Sequence, residues 1–282
     1  MRLYRTERGL ARGDGDQLLL LDLPHRDVGE LLADDPDLGR RARVTASLPV
    51  GATALLAPLR RPKRVVVVGA NYAEHVAEAG MAIPRAPAFF PIAVGTDLLV
   101  GPRSPIVLPA EAPAQVDYEA ELAVVIGSPA RDVAVEDAWR HIGGFTVAND
   151  VSARDVQLRG MRGGAVVDLG LIERAKSFPT FKPLGPAVVT LDELGRSPDL
   201  AITTRVNGVP RQQGRTSEML FPVAELVAAV SARIPLSVGD VILTGTPAGV
   251  AASGEYLSAG DVVEVTVEGI GCLRNEVIME GG

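Results

Sequence analysis

Cysteine is nearly missing from this chain: Cys272 stands alone among 282 residues. One thiol excludes an intramolecular disulfide and any cysteine cage for zinc. Aromatic residues make up only 4%, so the core must be built from Val, Leu, Ile and Ala. Among 28 basic residues only Lys63, Lys176 and Lys182 are lysines. A general preference for arginine accounts for that ratio, and it draws attention to any lysine standing in a motif. The histidines are three, His25, His75 and His141. No apolar run approaches a membrane span, and the start, MRLYRTERGLARGDGDQ, has no apolar core of signal-peptide length. The expectation is a cytoplasmic protein. The formal net charge is −7 and no basic cluster is present, so nothing marks a nucleic-acid or membrane partner.

What is present is a hydrophobic content of 47%, which suits a packed chain. LYRT, the glycines at 9, 13 and 15, and LLLLDL predict a small hairpin, and VGELLADDPDLG predicts a short helix closed by Gly39. VTASLPVGATALLAPLRRPKR is interrupted by Pro and Gly and reads as a connector. It places a boundary near residue 62, between a small N-terminal domain (1–62) and a larger one (63–282). Strands follow at 65–68, at ELAVVIG (121–127) and at GFTVAND (144–150), with helical stretches at NYAEHVAEAG and VEDAWRHI. Asn207-Gly208 predicts a hairpin, 222–234 an amphipathic helix, and VILTG and VVEVTVEGIG two further strands. Strands and helices do not alternate regularly, which argues against a doubly wound sheet. The pattern predicts a β-rich α+β fold with a large mixed sheet.

The acidic residues carry the first chemical signal. In VDYEAELAVVIG, Glu119 and Glu121 are two apart in an extended context, so their side chains share a face. Two such carboxylates repel, and solvent, an arginine or a metal must offset the repulsion. An exposed acidic strand end is the alternative. Asp150 closes the apolar run GFTVAN, where a strand would deliver it to a sheet edge. Three oxygen ligands suit Mg²⁺ or Mn²⁺ and leave Ca²⁺ open, while thiol and imidazole ligands for zinc are lacking. His75 precedes Glu78 by three residues, which puts both on one side of a helical turn. A carboxylate beside an imidazole orients it and raises its basicity. His25 and His141 have no comparable setting.

Seven segments in order resemble the fumarylacetoacetate-hydrolase family over nearly the whole chain. They are GANYAEHVAE (69–78), VDYEAELAVVIG (116–127), GFTVANDVSARDVQ (144–157), AKSF with PLGP (175–186), NGVPRQQGRTSEMLF (207–221), VGDVILTGTPAGV (238–250) and GDVVEVTVEGIGCLRNEV (260–277). The resemblance implies a mixed-sheet catalytic domain, a small N-terminal domain and a homodimer. It implies that Glu119, Glu121 and Asp150 hold the metal, and that His75 and Glu78 activate water on a segment able to close as a lid. It further implies that Gln157 positions that water and that Lys176 stabilises negative charge near the metal. Arg154, Thr246 and Tyr72 are expected at the substrate, with a salt bridge to Asp155 or another acid as the alternative for Arg154.

The implied substrate is a small oxo acid. One activity is hydrolysis of a carbon–carbon bond in an acylpyruvate-like 2,4-dioxo acid; decarboxylation or tautomerisation of a related acid such as oxaloacetate or a hydroxydienoate is the other. A non-catalytic binding protein with this fold is a third alternative. The chain departs from the family pattern at Ile92, at Pro179-Thr180-Phe181-Lys182 and in the long stretch 158–175. All three departures are expected near the mouth of the pocket.

Overall fold

Seven successive residues, Ala120–Ile126, are buried without exception, as a strand covered on both faces requires. This strand pairs antiparallel with Ile142–Asn149 on one side and with Val241–Leu243 on the other. The computed structural model describes residues 1–95, 97–250 and 254–281. Around that strand lies a twelve-stranded sheet, in which Val241–Leu243 runs parallel to Val65–Gly69 and most other pairs are antiparallel. The fold is therefore the β-rich, mixed-sheet α+β class that the sequence pattern predicts. A second sheet of five strands contains Ala201–Val206, Val209–Arg215, Val262–Val267 and Gly271–Met279. One apolar cluster dominated by Val, Leu, Ile and Ala joins the two.

The N-terminal strands Arg2–Thr6, Gly9–Asp14 and Gln17–Leu21 form a meander. Arg2–Thr6 also pairs with Lys182–Val189, so residues before 62 extend the same sheet that carries the central strands. Asn207 and Gly208 both have positive φ, 52° and 78°, the geometry a two-residue hairpin demands. The helix Val223–Ser231 buries Val223, Leu226, Val227 and Val230, the three- and four-residue spacing of an amphipathic stripe.

Two local expectations are corrected. VGELLADDPDLG forms two helices, Val28–Asp34 and Leu38–Arg41, broken at Asp35-Pro36. Gly39 lies inside the second, where a Cβ would meet Leu3 at 2.9 Å; close packing and not chain termination explains it. VEDAWRHI is a 3₁₀ segment, Val135–His141. No helix among the described residues is long and apolar enough to cross a membrane.

Candidate active site

Strand pairing brings the three carboxylates together. Ala120 faces Asn149 and Glu121 faces Ala148, and the Asp150 amide donates to the Glu119 carbonyl at 2.8 Å. The Asn149 side chain accepts from the Glu119 amide at 3.0 Å. One carboxylate oxygen each from Glu119, Glu121 and Asp150 lies within 4.8 Å of the others. Their exposures are 5%, 1% and 0%. An exposed acidic strand end is thereby excluded, and solvent does not offset their repulsion.

Three cations do so in part. Lys176 Nζ donates to Glu119 Oε2 at 2.8 Å, to Asp150 Oδ2 at 2.6 Å and to Ser152 Oγ at 2.8 Å. It is a buried lysine at the C-terminus of the helix Leu169–Ala175. Arg154 Nη2 stands 2.7 Å from both Asp117 and Glu119, and its Nη1 donates to Gln157 Oε1 at 2.6 Å. The acids that hold Arg154 are thus Asp117 and Glu119, and Asp155 is not among its ion-pair partners. Lys182 Nζ lies 2.8 Å from Asp150 Oδ1.

Burial alone would raise the Glu119 pKa, but Lys176 and Arg154 outweigh it and hold the group well below the ordinary carboxylate range. Glu121 goes the other way. Burial, then Asp150 and Glu119, push it well above the ordinary range, with Lys176 opposing. Burial lowers Lys182 despite Asp150, whereas Asp150 and Glu119 overcome the burial of Lys176 and raise it.

This donor set fits a hard divalent cation. It offers only carboxylate oxygens, close enough to share one ion. The upward displacement of Glu121 shows that the protein's own cations leave its charge uncompensated. Asp150 Oδ1 has no hydrogen bond of good geometry, although the Lys182 ammonium stands beside it.

The segment after Val65–Gly69 runs beside the site, with Tyr72 near Glu121 and His75 near Glu119. Asn71 fixes it: its amide donates to Thr244 O at 2.7 Å and to Phe221 O at 3.2 Å, and its side-chain oxygen accepts from Phe221 N at 2.8 Å. Tyr72 follows, with a buried hydroxyl that has no hydrogen-bond partner among the described residues. Burial, then Glu121 and Glu218, raise its pKa. In the helix Ala73–Glu78, His75 Nδ1 lies 3.3 Å from Glu78 Oε2. Both Glu78 oxygens accept from the Gly249 amide, at 3.1 and 3.2 Å, so the His75 helix is tied to the loop after Thr246. The Thr246 hydroxyl donates to Ala120 O at 2.9 Å and accepts from Gln212 Nε2 at 2.8 Å. Its proton is committed to the central strand, and Gly245 N donates to Glu121 Oε2 at 2.6 Å.

The geometry brings Glu119, Glu121, Asp150, Lys176, Arg154 and Gln157 into one cluster, with His75 and Glu78 on the neighbouring helix Ala73–Glu78. Sequence reasoning passed over Asp117 and Gln212 and misplaced Lys182. Gln212 is buried and bonds Ala120 N, Thr204 Oγ1, Thr246 Oγ1 and Pro247 O. Lys182 was expected near the pocket mouth and is instead buried behind Asp150; its rarity was the signal available. Ile92 is buried in the strand Ala88–Ile92, while Pro179 and residues 162–170 are exposed.

The model for the fumarylacetoacetate (FAA) hydrolase C-terminal region matches residues 64–278. The chain belongs to the fumarylacetoacetate hydrolase family. The mitochondrial oxaloacetate tautomerase FAHD2A of Bos taurus is 40% identical over 282 residues, 96% of this chain and 87% of that protein. The crystal structure of 5-carboxymethyl-2-hydroxymuconate delta-isomerase from Mycobacterium smegmatis is 39% identical. It superposes with a TM-score of 0.76 over 99% of this chain and 100% of that one. Maleylpyruvate hydrolase from Sphingobium sp. SYK-6, solved with manganese(II) and pyruvate, is 27% identical with a TM-score of 0.78 over 99% of each chain. Family membership makes this an enzyme fold whose relatives include tautomerases, isomerases and hydrolases.

Proposed function

We propose that this chain is a divalent-metal-dependent keto–enol tautomerase of a small 2-oxo dicarboxylic acid of the oxaloacetate type. The buried trio Glu119, Glu121 and Asp150, with Lys176 bridging Glu119 and Asp150, carries the reading. The near-full-length match to an oxaloacetate tautomerase supports the choice of reaction. Mg²⁺ or Mn²⁺ would be held by the three carboxylates and, when bound, would polarise the adjacent oxygens of an oxo acid.

The chain's own residues do the rest. Lys176 places fixed positive charge at the negative end of the site. His75 exchanges the proton: in ketonisation the enol hydroxyl loses one and carbon 3 gains one, with no bond made to water. Glu78 orients His75, and the Arg154–Gln157 pair holds the wall beside Glu119. Tyr72, Arg154 and Thr246 stay candidates for substrate contact, Thr246 through its main chain. A cytoplasmic homodimer belongs to the same reading.

Hydrolysis of an acylpyruvate carbon–carbon bond is the second reading. The 3.3 Å approach of His75 to Glu78 favours it, since the same pair could activate water.

The test is an ultraviolet assay of enol-oxaloacetate and a panel of acylpyruvates with Mg²⁺, Mn²⁺ or EDTA. EDTA-sensitive ketonisation with solvent deuterium entering carbon 3 is expected. Silence on oxaloacetate with loss of an acylpyruvate chromophore would replace tautomerisation by hydrolysis.

A further inference from the structure

Two of the three lysines in this chain are buried against one carboxylate. Lys176 meets Asp150 Oδ2 from the helix side, and Lys182, the first residue of the strand Lys182–Val189, meets Oδ1. Lys182 Nζ also donates to Val151 O at 3.2 Å, to Phe181 O at 2.9 Å and to Lys176 O. Each of these four direct partners is an acceptor. Only an ammonium, with three hydrogens and no lone pair, suits that surrounding.

Asp150 does not need Lys182 for its placement. Its amide is bonded to Glu119 O at 2.8 Å, its carbonyl accepts from Ser152 Oγ at 3.0 Å, and Lys176 holds Oδ2. What Lys182 adds is charge. Asp117, Glu119, Glu121 and Asp150 face Arg154, Lys176 and Lys182, which leaves one net negative charge when all are ionised. A divalent cation turns that into one net positive charge; without Lys182 the loaded centre would be neutral.

We propose that Lys182 is a positioning residue that sets the charge of the loaded centre. It loosens the divalent cation and tightens an anionic oxo-acid ligand. The inference rests on the metal reading above. Being buried behind Asp150, Lys182 acts through that carboxylate and the field it feeds.

The experiment compares wild type with Lys182→Gln, Lys182→Met and Lys182→Arg. Mn²⁺ binding is measured by calorimetry or spin resonance, oxalate binding to the Mn²⁺-loaded protein by calorimetry, and folding by thermal unfolding. Gln and Met should each tighten Mn²⁺ about tenfold and weaken oxalate about tenfold, as removal of a nearby buried charge requires. Arg should stay close to wild type. A purely structural role would move both affinities the same way or leave both unchanged in folded neutral variants, and either result overturns the proposal. Neutral behaviour of the Arg variant would overturn it too. Absence of Mn²⁺ binding in wild type would take down the metal reading as well, whereas wild-type binding with indifferent variants would remove the Lys182 role alone.

Discussion

Lys176 and Asp150 form an ion pair of 2.6 Å in which neither side chain is more than 5% exposed. The same aspartate receives Lys182 on its other oxygen. A buried pair is worth little compared with apolar packing, but breaking one strands a charge in a dry site. Asp150→Ala takes from Lys182 the one carboxylate it faces and leaves Lys176 only Glu119. We expect it to lower unfolding stability by about 3–5 kcal/mol and to abolish Mn²⁺ binding, measured by urea unfolding and calorimetry. Wild-type stability in this variant would mean that water reaches both ammonium groups.

His75→Ala tests the helix Ala73–Glu78. The imidazole is tied to Glu78 and contributes to the field at Glu119 without being one of the three ligands. Turnover should fall on the order of 10²-fold or more with Mn²⁺ binding retained. Undiminished ketonisation would assign the proton transfer to another group.

Gly249→Ala probes the loop that the Glu78 carboxylate holds. Gly249 has φ +97°, and a Cβ there would sit 2.1 Å from the Arg211 carbonyl oxygen. The loop must move, and Glu78 loses a partner. A displacement of this size should reduce kcat on the order of 10²-fold, while the carboxylate trio, at and beside the central strands, keeps its metal. Full activity would show that the Glu78–Gly249 bond does not hold the dyad.

Glu121 predicts a pH dependence for metal stabilisation. Without metal, its carboxyl in the folded chain ionises well above 4.5, the value of an ordinary glutamate. Between those two values the folded state binds the extra proton, so stability falls as pH rises through the window. Glu119, lowered by Lys176 and Arg154 against its burial, acts oppositely and withdraws stability only as pH drops below 4.5. A divalent cation replaces the Glu121 proton. The rise in Tm caused by Mn²⁺ should therefore grow as pH is raised from 4.5 through the range in which the Glu121 proton is displaced. A Tm increment independent of pH would place Glu121 outside the cation's shell.

The legible parts of this protein are those written over a few neighbouring residues. Glu121 stands second in the strand Ala120–Ile126 and Glu119 just before it, and the two-residue spacing of extended chain brings their carboxylates together. Asn207-Gly208 turns because both positions need positive φ, and the helix Val223–Ser231 shows its stripe directly. The motifs also placed the chain in its family.

The charge balance around the carboxylates was not legible in this way. Arg154 reaches Asp117 across 37 positions, Lys176 reaches Glu119 across 57, and Gln212 reaches Ala120 across 92. Lys182 looked like a pocket-mouth substitution until strand pairing put it behind Asp150. Gly39 looked like a helix stop until Leu3 was found against it. The sequence by itself determined the β-rich class and the central strands, because backbone periodicity and turn chemistry act locally, and it singled out the three carboxylates as candidates that the fold then brought together. Only the tertiary structure decided which cations face those carboxylates and how far each is removed from water. Electrostatic energy depends on distance and burial through space, and neither is encoded in spacing along the chain.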